Sequence, residues 1–75
     1  MLEVLLVTTD KVLYEGKARS VIVPGEEGVF EVLTYHKPIM SRLITGRVFI
    51  DNSDFKIRRG IIGVGRNKAT LIVEQ

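Results

Sequence analysis

The sequence predicts a small all-β protein, and three features carry that prediction. Apolar residues, many of them β-branched, alternate with polar ones along most of the chain, which is the two-residue period of half-buried strands. Turn-forming residues recur about every 8–12 positions, as they do in β-sandwiches and barrels. No long stretch has the apolar period of a helix. A sandwich or a barrel is therefore expected.

The first elements follow from this alternation. Val4 to Val7 is an apolar run that ends at the turn-prone Thr8-Thr9-Asp10. Lys11 to Glu15 is predicted to be a brief extended segment closed by Gly16. Ala18 to Val23 alternates, with Arg19, Val21 and Val23 expected on one face and the other three residues on the opposite face.

The middle of the chain opens on its strongest turn signal, Pro24 to Gly28, because proline presets φ and glycine permits positive φ. The strand Val29 to Leu33 should follow. Thr34 to Thr45 is less regular; it contains the only histidine and the apolar pair Ile39-Met40, and it ends before Gly46.

Two hairpins are predicted in the last third of the chain. The first has Asn52-Ser53-Asp54 as its turn, between Arg47–Asp51 and a returning strand that contains Phe55. The second has Gly65 to Lys68 as its turn, between Gly60–Val64 and Ala69–Glu74. The five aromatic residues mostly lie within strand patterns and are expected at core or edge positions.

Composition sets limits on the class of protein. The 75 residues suffice for one domain, residues 1–75, and 45% hydrophobic content indicates an ordered chain. The 11 cationic and 9 anionic residues are dispersed, which does not favour a nucleic-acid binder. Disulfides are excluded because cysteine is absent, and no apolar run is long enough to span a bilayer, so a soluble chain without membrane insertion is expected.

No pattern for catalysis or for a metal or cofactor site is present. His36 stands alone, without a nucleophile motif near it, and is predicted to be structural or interfacial. Glu26 and Glu27 are adjacent in a turn, where side chains splay apart, so a solvated loop tip is expected. The glycines from Gly60 to Gly65 lack the helix and the Lys-Ser/Thr pair of a phosphate loop; Gly63 and Gly65 are interpreted as bends in paired strands.

An ordered set of landmarks resembles one known family. The runs Lys11-Val12-Leu13-Tyr14-Glu15-Gly16 and Ser20 to Phe30, the latter containing Pro24-Gly25-Glu26-Glu27-Gly28, are followed by His36-Lys37-Pro38. Further matches lie at Gly46, Gly60 to Val64, Asn67 and Thr70 to Val73. In register over nearly the whole chain, they resemble the N-terminal domain of F-type ATP synthase epsilon subunits.

The resemblance implies a flattened β-sandwich of about ten strands. It implies a non-catalytic central-stalk subunit that binds the gamma subunit and the c-ring and helps couple ion-driven rotation to ATP synthesis. The chain would then lie at the cytoplasmic face of a membrane, or on the stromal side in a plastid. The family's helical hairpin, which can bind ATP and inhibit hydrolysis, has no counterpart before Gln75, so neither property is expected.

The resemblance also implies contact positions. Thr8, His36 and Met40 match the face that packs against gamma, and a flexible methionine suits an adaptable interface. The turn residues Glu26, Glu27, Gly28 and Val29 match the loop that faces the c-ring, although Val29 stands where the family often has an acidic residue.

Other departures from the family pattern predict local variants of loop shape. Thr34-Tyr35 replaces the family's Pro-Gly before the histidine, and Arg58-Arg59 replaces its usual Ser-Gly. Two other functions remain open. One is a stand-alone β-sandwich binding module, for nucleic acid for example; the other is a small enzyme, for which no group of residues is recognisable.

Overall fold

A computed structural model describes all of residues 1–75, and it contains nine strands and no helix. The strands are β1 (Leu2–Val7), β2 (Val12–Ala18), β3 (Ser20–Gly25), β4 (Gly28–Leu33), β5 (Ile39–Leu43), β6 (Gly46–Ile50), β7 (Ser53–Ile57), β8 (Arg59–Gly65) and β9 (Lys68–Glu74). The all-β prediction is confirmed, with nine strands where about ten were expected. No helix long and apolar enough to cross a membrane is present.

The strands form one continuous, curled sheet in the order β2-β1-β9-β8-β5-β3-β6-β7, with β4 paired to β3. All pairings are antiparallel except that of β1 with β9, the first strand with the last. β5 and β3 share a single residue pair, Gly25 with Leu43, so the sheet bends sharply there. The bend brings two halves face to face, β2-β1-β9-β8-β5 opposite β4-β3-β6-β7, which is a small β-sandwich.

The core between the two halves is a single cluster of 16 buried residues, all of them hydrophobic. β9 shows how the alternation builds it: Ala69, Leu71 and Val73 are buried, while the intervening residues point outward. β3 contributes Val21 and Val23 from the opposite half in the same way. No buried side-chain nitrogen or oxygen lacks a hydrogen-bond partner, so no unpaired polar group reduces the stability gained from apolar packing.

Several predicted boundaries were wrong by a few residues. β2 does not stop at Gly16 but continues to Ala18, because Gly16 adopts a φ of 150° and stays paired with Val4. Arg19 lies between β2 and β3 and is exposed, so it does not share the buried face of Val21. The turn between β6 and β7 is Asp51-Asn52, one residue earlier than predicted, and Ser53 already pairs with Ile50.

The glycines of β8 were also misinterpreted as bends. Gly63 and Gly65 lie in an unbroken ladder opposite Thr70 and Lys68 and do not have positive φ. Gly63 and Gly65 lie on the outer face of β8 and leave it without side chains at these two positions. The hairpin turn at Arg66-Asn67 is confirmed; both residues have positive φ, which suits a tight turn between twisted strands.

Truncation of the core should destabilise the fold strongly. Leu71 is fully buried, so Leu71→Ala is expected to lower the free energy of unfolding by about 2–5 kcal/mol through lost burial and a cavity. Its neighbour Ile72 is 54% exposed on the other face, and Ile72→Ala should cost less than about 1 kcal/mol. Urea unfolding of both variants checks this, and equal losses would contradict the assigned faces.

Candidate docking surfaces

The outer side of the half β2-β1-β9-β8-β5 carries a cluster of exposed and half-buried apolar residues, with Thr70 among them and Arg42 beside it. The register places Met40 beside Gly63, Gly63 beside Thr70 and Thr70 beside Leu5. We call this surface the apolar face; its members are Leu5, Val7, Met40, Ile61 and Ile72. Met40 is 81% exposed, and Ile61 and Ile72 are each at least half exposed.

The apolar face arises from the same alternation that builds the core. Ile61 pairs with Ile72, which pairs with Val7, while their sequence neighbours Ile62, Leu71 and Leu6 point inward. This half therefore carries apolar residues on its outer side as well as in the core, and exposed apolar patches of this kind mark interaction sites.

The predicted acidic turn forms as a β3–β4 hairpin in which Gly25 pairs with Gly28 around Glu26-Glu27. Gly28 has a φ of 133°, a conformation that L-residues rarely adopt. The Glu26 N–H donates to the Arg42 carbonyl (3.0 Å), which ties the tip to β5. Both carboxylates are exposed and Val29 is 73% exposed, so the turn is a solvated projection as predicted.

His36 and Met40 lie across a cleft from this turn. The cleft separates β4 from β5, with Glu26 to Phe30 on one wall and His36 and Ile39 to Arg42 on the other. The structure therefore brings six of the seven predicted contact residues around one concavity. His36 is half-buried, and its Nδ1 lies 2.7 Å from the Lys37 carbonyl oxygen. A carbonyl only accepts, so Nδ1 is the donor in this contact.

Thr8 lies apart from this cleft. It directly follows β1, and its hydroxyl accepts from the N–H groups of Asp10 (3.1 Å) and Lys11 (3.2 Å), so it shapes the β1–β2 turn. β1 is three strands away from β5, about 14 Å at ordinary strand spacing. Thr8 nevertheless follows Val7, so it borders the apolar face rather than the cleft.

The sequence interpretation missed Ile61 and Ile72 as surface residues, although the period-two pattern of their strands contained the signal. It also misassigned two aromatic residues. Tyr14, Phe30 and Phe55 pack against the core as expected, but Phe49 is 42% exposed and Tyr35 is 83% exposed. Tyr35 belongs to a loop and not to a strand.

These surfaces define the class of protein. The only histidine contacts a backbone carbonyl and no group of three or more potential ligands is placed to hold a metal ion. The structure presents an apolar face, an acidic turn and a cleft. Surfaces of this kind are typical of a domain that docks onto other proteins.

Comparison with known proteins names the family. Residues 1–75 match the family described as "ATP synthase, Delta/Epsilon chain, beta-sandwich domain". The chain belongs to this family, as the sequence resemblance predicted. It is accordingly an ATP synthase subunit of the delta/epsilon type, which is not itself catalytic.

Individual relatives agree with this assignment. The chain is 39% identical to the ATP synthase epsilon chain of Chlorobaculum tepidum, over 93% of this chain and 85% of that one. It is 36% identical to the epsilon chain of Chlorobium limicola, over 92% of this chain and 84% of that one. The epsilon chain of Protochlamydia amoebophila is also 36% identical, but only 50% of it is covered.

Solved structures share the fold at low sequence identity. A chain of the Tetrahymena thermophila mitochondrial ATP synthase central stalk and c-ring aligns with a TM-score of 0.80 at 19% identity. A chain of the Euglena gracilis mitochondrial ATP synthase, in an OSCP/F1/c-ring structure, aligns with a TM-score of 0.85 at 16% identity. The protein covers 63% and 51% of those two chains.

The acidic turn depends on glycine at Gly25. A Cβ there would lie 2.7 Å from both the Gly28 carbonyl oxygen and Phe30 Cε1, so Gly25→Ala should cost about 1–3 kcal/mol of stability. Gly65 has open space around its Cβ direction, and Gly65→Ala should stay within about 0.5 kcal/mol. Thermal and urea unfolding test the pair; a tolerated Gly25→Ala would refute the close approach.

Proposed function

We propose that the chain is the central-stalk subunit of a rotary ATP synthase, where it binds the gamma subunit and the c-ring and helps couple ion-driven rotation to ATP synthesis. Residues 1–75 act as one domain. In this role the chain lies peripherally at the cytoplasmic face of the membrane, or on the stromal side in a plastid. The apolar face is the observation that carries the proposal.

The apolar face fits the gamma subunit. Met40, Ile61 and Ile72 project from three adjacent strands whose pairing is continuous, so the surface is broad and held by a hydrogen-bonded ladder. Interfaces of lasting complexes bury apolar side chains of this kind, with methionine among the enriched residues. Thr8 borders this surface, and His36 lies in the loop that connects β4 to β5, which supports a gamma contact that also includes these two residues.

The acidic turn fits the polar loops of the c-ring. Glu26 and Glu27 project at the tip, and Val29 adds an exposed apolar side chain on the strand that leaves it. The Glu26 N–H to Arg42 carbonyl bond joins this turn to β5, which also carries Met40. A load applied at the turn is therefore transmitted through backbone hydrogen bonds to the apolar face, which is what coupling between two partners requires.

A stand-alone nucleic-acid module is the alternative function. It requires cations and exposed aromatics aligned along one groove. On the outer side of β3 and β6, Ile22 pairs with the exposed Phe49, and Arg47 nearby is already paired with Asp54. That arrangement supplies no stacking track, so the docking function is favoured.

Charge placed on the apolar face should disrupt gamma binding. Met40→Glu and Ile61→Glu are expected to weaken binding by about 30-fold or more, because a buried unpaired carboxylate costs at least ~2 kcal/mol. Phe49→Glu adds the same charge to the opposite half of the sandwich and serves as the matched control. Calorimetry or co-elution with the gamma subunit of the same organism measures the effect.

Three results of this experiment are informative. A stoichiometric complex lost with Met40→Glu and kept with Phe49→Glu supports the proposal. A complex lost with Phe49→Glu alone would move the interface to the other half. Absence of any complex with folded gamma would refute the stalk role, and salt-sensitive binding of a single-stranded oligonucleotide would then favour the alternative.

Reversal of charge at the turn should separate the two contacts. Glu26→Lys with Glu27→Lys is expected to leave gamma affinity within about twofold, since exposed rim charges contribute little to affinity. The same variant should lower ATP-driven ion pumping in the reconstituted complex. Unchanged pumping would argue against a c-ring contact by these carboxylates.

A further inference from the structure

The end of the sandwich that carries Tyr35 gathers segments from across the sequence. The strand directions place at this end the residues that precede β1 or connect β2–β3, β4–β5, β6–β7 and β8–β9; we call it the Tyr35 end. Its members are Met1, Arg19, residues 34–38, Asp51, Asn52, Arg66 and Asn67. The acidic turn lies at the opposite end, with the β1–β2 turn and Arg58.

The Tyr35 end is cationic. Among its side chains Arg19, Lys37 and Arg66 oppose the single carboxylate of Asp51, which leaves a net charge of +2. The Asp51 carboxylate is itself engaged, since its Oδ1 accepts from the N–H groups of Arg19 (2.9 Å) and Ser20 (3.1 Å).

The opposite end has the other sign. Its cationic side chains are Lys11 and Arg58, and its acidic ones are Asp10, Glu26 and Glu27, which leaves −1. The connecting segments at the two ends of the sandwich therefore differ in the sign of their charge, although cations and anions nearly balance over the whole chain.

Tyr35 is held in place as an exposed anchor. Its side chain is 83% exposed, and its φ of 62° is a left-handed conformation that costs a non-glycine residue about 1–2 kcal/mol. Its N–H donates to Asn67 Oδ1 (2.8 Å), and Asn67 Nδ2 donates to the Met1 carbonyl (2.8 Å). The backbone under the ring is thereby fixed before any partner arrives, which lowers the entropy lost on binding.

Two of the three cations flank this anchor. Ser20 pairs with Leu33, so Arg19 lies beside the start of the Tyr35 loop on one side. Asn67, which holds the Tyr35 N–H, follows Arg66 on the other side. An exposed tyrosine on a hydrogen-bonded backbone, with an arginine near the loop on either side, combines residue types that dominate binding hot spots.

We propose that the Tyr35 end is a docking surface for an acidic polypeptide segment of a partner subunit, with Tyr35 as its anchor. The cations would pair with carboxylates while the ring packs on the apolar part of the segment. One aromatic ring favours a polypeptide over single-stranded nucleic acid, which stacks successive bases on several rings. The proposal goes beyond the proposed function: of the residues proposed to contact gamma or the c-ring, only His36 lies at this end, and it is not among the contacts proposed here.

The test is a titration of the isotope-labelled full chain with a synthetic peptide of Glu-Glu-Leu units separated by Ala residues. Binding is followed by NMR through the backbone amide shifts. The amide shifts should be largest at Tyr35, Lys37 and Arg66, and the affinity for the peptide should fall as salt is added. Tyr35→Ala should lower affinity about tenfold, and Lys37→Glu with Arg66→Glu should abolish binding. A peptide with Gln in place of Glu controls for charge.

Lys56→Glu with Arg58→Glu, which reverses two charges outside this end, is the matched control and should bind as the wild type does. Shifts spread over all cationic residues, or affinity unchanged by Tyr35→Ala, would overturn the proposal. Tighter binding of an oligothymidine at the same residues would also overturn it and assign the surface to nucleic acid. Because gamma is not used, the result is independent of the stalk role.

Discussion

The parallel pairing of β1 with β9 is the constraint on which the rest of the structure depends. It inserts the first strand beside the last, so that β1, β9 and β8 form the middle of one half of the sandwich. Asn67 stands at the start of this pairing, where its carbonyl accepts from the Glu3 N–H (3.1 Å). The Asn67 side chain in turn donates to the Met1 carbonyl and accepts from the Tyr35 N–H, so the long-range closure of the sheet and the shape of the loop before β5 have a common origin.

Closure of the sheet leaves one half with apolar residues on both sides. The inner residues of β1, β8 and β9 supply much of the core, while Ile61, Ile72 and Met40 remain on the outside. A chain of 75 residues buries only about 60% of its unfolded surface, so its own core is thin. Docking onto a larger subunit would stabilise it, because a partner that binds only the folded state shifts the folding equilibrium.

The departures from the family pattern become intelligible at particular contacts. Tyr35 stands where the family has glycine, and it keeps a left-handed backbone because Asn67 and the Leu33 carbonyl bind the loop on both sides. Arg58-Arg59 stands where the resemblance leads to an expectation of Ser-Gly; Arg58 precedes β8 and Arg59 begins it. The Arg58 N–H donates to the Glu74 carbonyl (2.7 Å), and Arg59 Nε lies 3.2 Å from Glu74 Oε2. The two arginine side chains therefore change the surface, while the backbone pairing of β8 with β9 stays intact.

The sequence alone determined the all-β class, the acidic turn and the family, because period-two alternation and the Pro-Gly-Glu-Glu-Gly turn are local properties. It also put Val21 and Val23 on one face of their strand and the aromatic residues at core or edge positions. Only the tertiary structure decided that Met40, Ile61 and Ile72 form one surface, that Thr8 lies away from His36, and that Tyr35 is exposed. These depend on which strands are neighbours and on a hydrogen bond between residues 32 positions apart. Period-two patterning specifies which face a residue takes, but it carries no information on which strand lies beside it.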